Sequence, residues 1–514
     1  MKKYWLIIVI LVLLGGFIKM TTAVLDKNSN KTLRVAFPSF NRGLDYEPTD
    51  IRLAYEYIFL ENIYSPLVEI SAKDGDLKEG VASKMTWKGD ELHLEIRDNL
   101  KTASGKPITA KDVVFSLKRL LILASNTHGN FGDLVCPGVH LTSITQDCPG
   151  IELRGNTVIL KAEKRKSFLL PMLGAIDFAV IPQESVDPKT LKIINYAETS
   201  GPYYVSNFLP DGTIELKANL YHYQYTSKMP QDVTLLPFDR SIPNGGLKFY
   251  ADGKADHIMT TNSSQVEDII EFANNNQDTT NLHVTMNIRN ILLVFTEKGV
   301  KELSQKERQN IALGVKKSFE DIYSSKKGFE VSHEFFSAMA DGGLTKDQQE
   351  SLNTKYGQSF NTVDKPIKVA LLKSGDISTW ENAVNSVAPK ASCFKDVRVP
   401  DLSEYKTRDE MPHAFIAGTD SSYFEDINLI SYSLNAGYFG LSKPERKEWL
   451  AHYMSLDSKS ERLLLLRQLH YNVLNDFVLV PLVISPFVAL SSKEWKMELS
   501  QLYANNQIWL LRHQ

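Results

Sequence analysis

Only once does this chain run apolar without interruption: YWLIIVILVLLGGFI, Tyr4 to Ile18, preceded by Lys2 and Lys3 and followed by Lys19 and MTTAV. A basic start, a short apolar stretch and small residues at Thr21 and Ala23 form the pattern of a secretory signal peptide cleaved after Ala23. The run is short of the roughly 20 apolar residues that a spanning helix needs. An uncleaved membrane anchor is the alternative, and either reading exports the rest of the chain. No cysteine follows the run, which argues against a lipid-anchored form. No later segment approaches spanning length; RLLLLRQLHYNVL carries charges at helical spacing and reads as a core helix. Everything after residue 23 must therefore fold in water.

With 514 residues the chain is too long for one ordinary core and divides into two or three domains. Hydrophobic residues make up 43% and charged residues 23%, the balance of a soluble globular protein. The net charge of -3 gives no basic footprint, so nucleic acid is excluded as a partner. Three cysteines are present, Cys136, Cys148 and Cys393. Cys136 and Cys148 flank the loop-like CPGVHLTSITQDCPG, a spacing that permits a disulfide in an oxidising compartment. The pair lacks the CxxC spacing of a metal site. Cys393 is left as an odd thiol, buried rather than reactive.

Strand and helix patterns alternate along the chain. TLRVAFP is a first strand, and IRLAYEYIFLENIYSPLVEIS is a helix ending near Pro66 that runs into a strand. GDELHLEIRD alternates Leu92, Leu94 and Ile96 with polar residues, a half-buried strand. In SGKPITAKDVVFSLKRL, Gly105 and Pro107 mark a turn, and Thr109 with Asp112 opens a capped amphipathic helix. NTVILKAE is another strand, and GPYYVSNFLPDGTIELKAN is a hairpin turning at Asp211–Gly212. SQVEDIIEFANN is a helix and NILLVFTE a buried strand. Beyond it, a helix from about Ser304, the strands KPIKVALLKS and PHAFIAG, two helices and the strand FVLVPLVISPFVALS complete the chain. The class is α/β, of the mixed α+β kind, with more than one sheet.

The chemistry of catalysis is missing from the pattern. There is no GxSxG elbow, no HExxH helix, no Walker A loop and no GxGxxG after a strand. The eleven histidines form no ligand-spaced pair. His222, among tyrosines in LYHYQY, reads as a surface or packed residue. The expectation is a binder without cofactor, metal or enzymatic activity, its concave site lined by aromatic groups; the chain holds 21 Tyr and 24 Phe.

Leu77 to Leu120, LKEGVASKMTWKGDELHLEIRDNLKTASGKPITAKDVVFSLKRL, resembles the signature region of the extracytoplasmic solute-binding proteins of family 5, which include the dipeptide- and oligopeptide-binding proteins of ABC importers. VASKMTW, LHLEIRDNLK and SGKPITAKDVVFSL stand for three successive phrases of the family pattern, and the last is the most specific. GLDYEP, ETSGPYYVSNFLPDGTIELKAN, FYADGKADHI, NILLVFTEKG with LSQKERQNIALGVKKSF, and SERLLLLRQLHYNVLNDFVLVPLV are similar to later family segments in the same order. The chain departs from the pattern in NDFVLVP, which lacks a Pro, in FTE, and in the loop AFIAGTDSSYFEDINLISYSL, which lacks the family's Trp and Pro.

The resemblance implies a two-lobe periplasmic-binding-protein-like fold of type II, with an extra subdomain in the first lobe and the ligand cleft between lobes. The implied boundaries are 1–23 for the signal peptide or anchor, 24–286 for the first lobe with its subdomain at about 45–190, 287–480 for the second lobe and 481–514 for the C-terminal return. Hinges fall near Asn287–Asn290 and Val480–Leu482. Ser39 and Phe40 would face the cleft from the first lobe, Asp420 and Tyr423 from the second. Asp420 falls where peptide-binding members pair the peptide's α-amino group; a solvated loop acid is the alternative. The implied function is capture of a di- or oligopeptide and delivery to an ABC importer permease, by a monomer in the periplasm or another extracytoplasmic space. The alternatives are a non-peptide solute (metal chelate, haem or sugar), a membrane-anchored ligand sensor or chaperone-like partner not coupled to import, and a hydrolase on the same scaffold, for which no nucleophile is visible.

Overall fold

The computed structural model describes residues 32–39, 44–51, 55–71, 75–124, 131–162, 166–239, 242, 244–260, 265–336, 342–372, 377–396, 410–420, 433–434, 437–502 and 506–514. Residues 1–23, expected to be a signal peptide or an uncleaved anchor, lie outside them. Among the described residues no helix is long and apolar enough to cross a membrane.

Strand β1 (Leu33–Ser39) leads to α1 (Glu56–Ile63) and the short pair β2 (Val68–Ile70) and β3 (Leu77–Glu79). A hairpin of β4 (Ala82–Lys88) and β5 (Glu91–Ile96), helix α2 (Ala110–Leu123), β6 (Ile151–Arg154) and β7 (Thr157–Lys161) then build a separate sheet of order β4-β5-β7-β6. The chain returns through β8 (Tyr203–Phe208), β9 (Ile214–Ala218), β10 (Asp232–Asp239), β11 (His257–Thr260) and α3 (Val266–Asn275). The long β12 (Thr280–Phe295) leads to α4 (Gln305–Tyr323), β13 (Glu330–Val331), β14 (Ile367–Leu372), α5 (Ile377–Val387), β15 (Ala391–Asp396) and β16 (Ala414–Asp420). Helices α6 (Lys443–Ser455) and α7 (Lys459–Asn475) precede β17 (Leu479–Ser492), and β18 (Trp495–Met497) with β19 (Leu511–His513) closes the chain. One eleven-stranded sheet, in order β15-β14-β16-β12-β17-β11-β1-β10-β9-β8 with β13 against β17, runs through both lobes.

Local signals explain many of these elements. Thr109 and Asp112 form a reciprocal capping box at the start of α2, and Ser304 and Glu307 do the same for α4, so two orphan donors at each helix start are satisfied. The β8–β9 hairpin turns through Gly212 at φ 87°, a left-handed conformation that glycine adopts without strain, while Asp211 accepts from the Thr213 N–H at 2.9 Å. Other choices are tertiary. Arg119, near the end of α2, is buried and pairs with Glu47 at 2.6 Å. The strand expected from NILLVFTE begins earlier, at Thr280, because β17 offers partners along the whole length of β12.

Cys136 and Cys148 are joined in a disulfide beside the subdomain sheet. Cys393 on β15 is half-buried, and burial pushes its thiol up to about 11, which keeps it protonated at neutral pH. His222 is packed: its Nε2 lies 2.9 Å from the Ser65 hydroxyl, and burial lowers it to about 3, so the ring is neutral.

Three apolar cores organise the molecule. One covers a single face of the large sheet across both lobes, with α3, α4 and α5 on it. A second lies under the opposite face in the first lobe, where Leu33, Val35 and Phe37 meet α1. The third joins the subdomain to the opposite face of the second lobe, from Leu92 and Val113 to Val294, Phe415 and Leu466.

Candidate functional site

Strand direction fixes where a ligand site can lie. β11 is antiparallel to β17, and β17 is antiparallel to β12, so β11 runs with β12; β1 and β10 are parallel to β11 and run the same way, toward the second lobe. β16 is antiparallel to β12, and β14 and β15 are parallel to β16, so these three run back toward the first lobe. Two sets of parallel strands thus converge by their carboxyl ends on one crossing, with Ser39, Asp239 and Thr260 on one side and Leu372, Asp396 and Asp420 on the other. The crevice outside the carboxyl ends of parallel strands is where open α/β sheets bind ligands.

Ser39 ends β1 in register with Asp239, and Asp420 ends β16 in register with Arg289 of β12. Their backbones therefore stand at facing edges of the crossing; the side chains of Ser39 and Asp420 lie outside the described atoms, and Phe40 and Tyr423 lie outside the described residues.

The crossing itself is irregular. The β12–β17 ladder shifts register between Val284 and Asn287, between Asn287 and Arg289, and between Ile291 and Leu292. The partners of Asn287 and Arg289 are Pro486 and Ser485, whereas Val480 and Pro481 pair with Leu293 and Leu292. Proline has no N–H to give a ladder, so Pro486 and Pro481 sit where the pairing breaks. Side chains repair the gaps. The Thr285 hydroxyl accepts from the Phe487 N–H at 2.8 Å, and the Met286 N–H reaches the Gln501 carbonyl at 2.9 Å.

On the second-lobe side a buried polar network pins both crossing strands. Asn290 of β12 donates from Nδ2 to the Phe335 carbonyl at 2.9 Å and accepts from the Ser332 hydroxyl at 2.7 Å. Lys316 of α4 donates from Nζ to the Ser332 carbonyl at 2.5 Å and to the Pro481 carbonyl at 2.8 Å. His470 Nε2 accepts from the Phe335 N–H at 2.9 Å, which leaves its proton on Nδ1, 3.2 Å from the Gly342 carbonyl. Burial lowers His470 to about 4, in keeping with a neutral ring. Nothing in the sequence pointed to this network; Lys316 in GVKKSF looks like one of a solvated helical pair.

Burial also lowers Lys316 from the ordinary 10.5 to about 8. The unfolded chain then binds more protons than the folded one between these values, so the charged amine costs stability below pH 8 and that cost fades as pH rises. Measured against Lys316→Met by chemical denaturation, wild-type stability is expected to gain about 3 kcal/mol from pH 8 to pH 10.5, taking 1.36 kcal/mol per pH unit. A constant difference between the two proteins over that range would contradict the buried, lowered amine.

Among the described residues no three His, Cys, Asp or Glu side chains gather into a group that could hold a metal ion.

Residues 76–306 match the family model described as Bacterial extracellular solute-binding proteins, family 5 Middle. The chain is 24% identical over 212 residues to the periplasmic oligopeptide-binding protein OppA of Salmonella typhimurium; the match spans 38% of this chain and 37% of that relative. Solved structures match far more of the fold. Haemophilus influenzae OppA in complex with RPPGFSPFR superposes with TM-score 0.69 at 15% identity, covering 94% of this chain and 99% of that one. NikA from Brucella suis in complex with Fe(III)-EDTA gives 0.72 at 15%, covering 94% and 100%. The Escherichia coli murein tripeptide binding protein MppA gives 0.68 at 14%, covering 94% and 98%. The fold is the mixed α/β two-lobe architecture of these binding proteins.

Proposed function

We propose that this chain, a member of the bacterial extracellular solute-binding proteins of family 5, captures a di- or oligopeptide between two closing lobes and delivers it to an ABC importer. The observation that carries the reading is the convergence of two sets of strand carboxyl ends on an irregular two-strand crossing. Such a crossing can pivot where its ladder is broken, and hinge closure buries a ligand held between the two edges. The hinge is assigned to Thr285–Leu292 on β12 and to Pro481–Pro486 on β17. The first lobe then runs to about residue 286 and takes the chain back beyond the second hinge.

Ser39 and Phe40 face the ligand from the first lobe, Asp420 and Tyr423 from the second. Asp420 pairs with the peptide's ammonium group once closure has excluded water, and backbone groups of the strand ends meet the peptide backbone. The protein binds and releases without chemistry, as a monomer, outside the cytoplasm after export by residues 1–23. A relative named for oligopeptides and a neighbour solved with RPPGFSPFR support the peptide reading. The NikA neighbour with Fe(III)-EDTA supports a second reading, a metal chelate in the same cleft.

A thermal-shift comparison separates the two. Ligand at about 100 times its Kd stabilises the folded state by about 2.7 kcal/mol. Short peptides are expected to raise the melting temperature, and Fe(III)-EDTA or nickel with histidine to leave it unchanged. A shift with the chelates alone would replace the peptide reading by the second.

A further inference from the structure

We propose that the β4–β7 subdomain is a clasp across the two lobes, closed by Arg462 and broken whenever the cleft opens. The subdomain is first of all fastened to the first lobe. Glu69 on β2 accepts from the Tyr223 hydroxyl and, at 2.5 Å, from Gln224 Nε2. Arg97, just after β5, lies over the Tyr223 ring at 4.3 Å and donates to the Gly80 carbonyl at 2.7 Å. Tyr223 and Gln224 follow β9 of the first-lobe hairpin, and the neighbouring His222 holds Ser65 at 2.9 Å. Beyond Phe168 the chain is tied twice to the same junction: the Val68 N–H donates to the Leu173 carbonyl, and the Val180 N–H donates to the Ser65 carbonyl.

Its far edge meets the second lobe. Arg462, at the start of α7, is 0% exposed and donates to the Ser167 hydroxyl, while its guanidinium carbon lies 5.1 Å from the centre of the Phe168 ring. The same guanidinium holds the carbonyls of Leu456 and Asp457 at 3.0 and 3.1 Å, so it is braced by the α6–α7 turn of its own lobe. Lys166, 5% exposed, pairs with Asp457 at 3.0 Å. Phe168 and Leu466 belong to one apolar core.

Residues 166–168 travel with the first lobe, and residues 456–462 travel with the second. Rotation about the β12–β17 crossing must pull them apart. The two polar contacts differ in weight. The Asp457 carboxylate is 52% exposed, so its pairing with Lys166 is screened by water. The desolvated guanidinium over Phe168 is the stronger element, of a size that shifts an equilibrium about tenfold or more. The clasp therefore biases the ligand-free molecule toward closure, and a ligand adds to a bias already present.

Small-angle X-ray scattering of protein dialysed free of small molecules tests this. Arg462→Lys keeps the charge and loses the planar stack. Phe168→Leu removes the ring from the subdomain side, keeps an apolar side chain in the shared core and leaves Arg462 with its own carbonyls, so it carries the test if Arg462→Lys fails to fold. The expected result is a compact wild type and a larger radius of gyration in the variants, from an open-to-closed ratio raised about tenfold. Identical scattering from wild type and folded variants, all compact or all open, overturns the proposal.

Discussion

Gly201→Ala is expected to destabilise the protein by about 3 kcal/mol or more, with urea unfolding as the readout. Gly201 lies in TSGPYY, one of the phrases through which the sequence resembles the solute-binding proteins of family 5. Its N–H donates to the Ile63 carbonyl at 2.9 Å, at the last turn of α1. A methyl group at this position would stand 2.3 Å from the Ile63 carbonyl carbon, 2.5 Å from the Tyr64 nitrogen and 2.6 Å from the Ile63 oxygen. All three are backbone atoms, and the side chains of Ile63 and Tyr64 are sealed in the first-lobe core. The adjacent Ser65 N–H is held by the Ser200 hydroxyl at 3.0 Å, so neither strand of the contact can retreat alone. Gly418→Ala is the control. There the nearest atom, the Asn290 carbonyl oxygen, is 3.7 Å from the added methyl, an ordinary contact, and a cost below about 1 kcal/mol is expected. Equal effects at the two positions would show that close approach is not what makes Gly201 a glycine.

The second large effect is on binding. If Asp420 pairs with a peptide ammonium in the closed cleft, Asp420→Ala strands a buried charge, a change that costs about 3–5 kcal/mol. Peptide affinity should then fall by about two to three and a half orders of magnitude, at about 1.4 kcal/mol per tenfold. Isothermal titration with a free-amine peptide and its N-acetylated form gives the comparison. The wild type is expected to prefer the free amine strongly, and the variant to lose that preference. A loss smaller than about threefold, with the preference intact, would return Asp420 to the role of a solvated loop acid.

Much of the fold was legible because its signals are local. Thr109 and Asp112 announce α2 within four positions of the chain, Ser304 and Glu307 announce α4, and Asp211–Gly212 marks its hairpin without reference to anything distant. The long β12 was legible only in part. NILLVFTE is apolar on both faces, but the TNLHVTMNIR that precedes it alternates weakly, and its strand character comes from β17 beside it. The crossing was placed on β12 by resemblance. On β17 the irregular stretch extends to Pro486, a position that two prolines in VPLVISP could have marked, since a proline inside a central strand calls for a bulge.

The candidate site was legible as strand ends and no further. Asp420 and Ser39 stand at the facing edges because strand direction puts them there, and direction follows from pairing, which one strand's residues do not encode. The polar network of Asn290, Ser332, Lys316 and His470 was illegible for the same reason. Each residue type is common on surfaces, and each is buried here to partner groups beside the crossing: Lys316 donates to the Pro481 carbonyl, Asn290 donates to the Phe335 carbonyl and accepts from Ser332, and His470 accepts from the Phe335 N–H. Arg462 is the plainest case. In SERLLLLRQL it reads as one charge on a helix, and its partner Phe168 lies in another subdomain.

The most direct test of the account is native mass spectrometry of the protein purified without denaturation, followed by identification of whatever unfolding releases. The account predicts a mixed set of short peptides, one per molecule of protein. Release of a single non-peptide compound, such as a metal chelate, would contradict it.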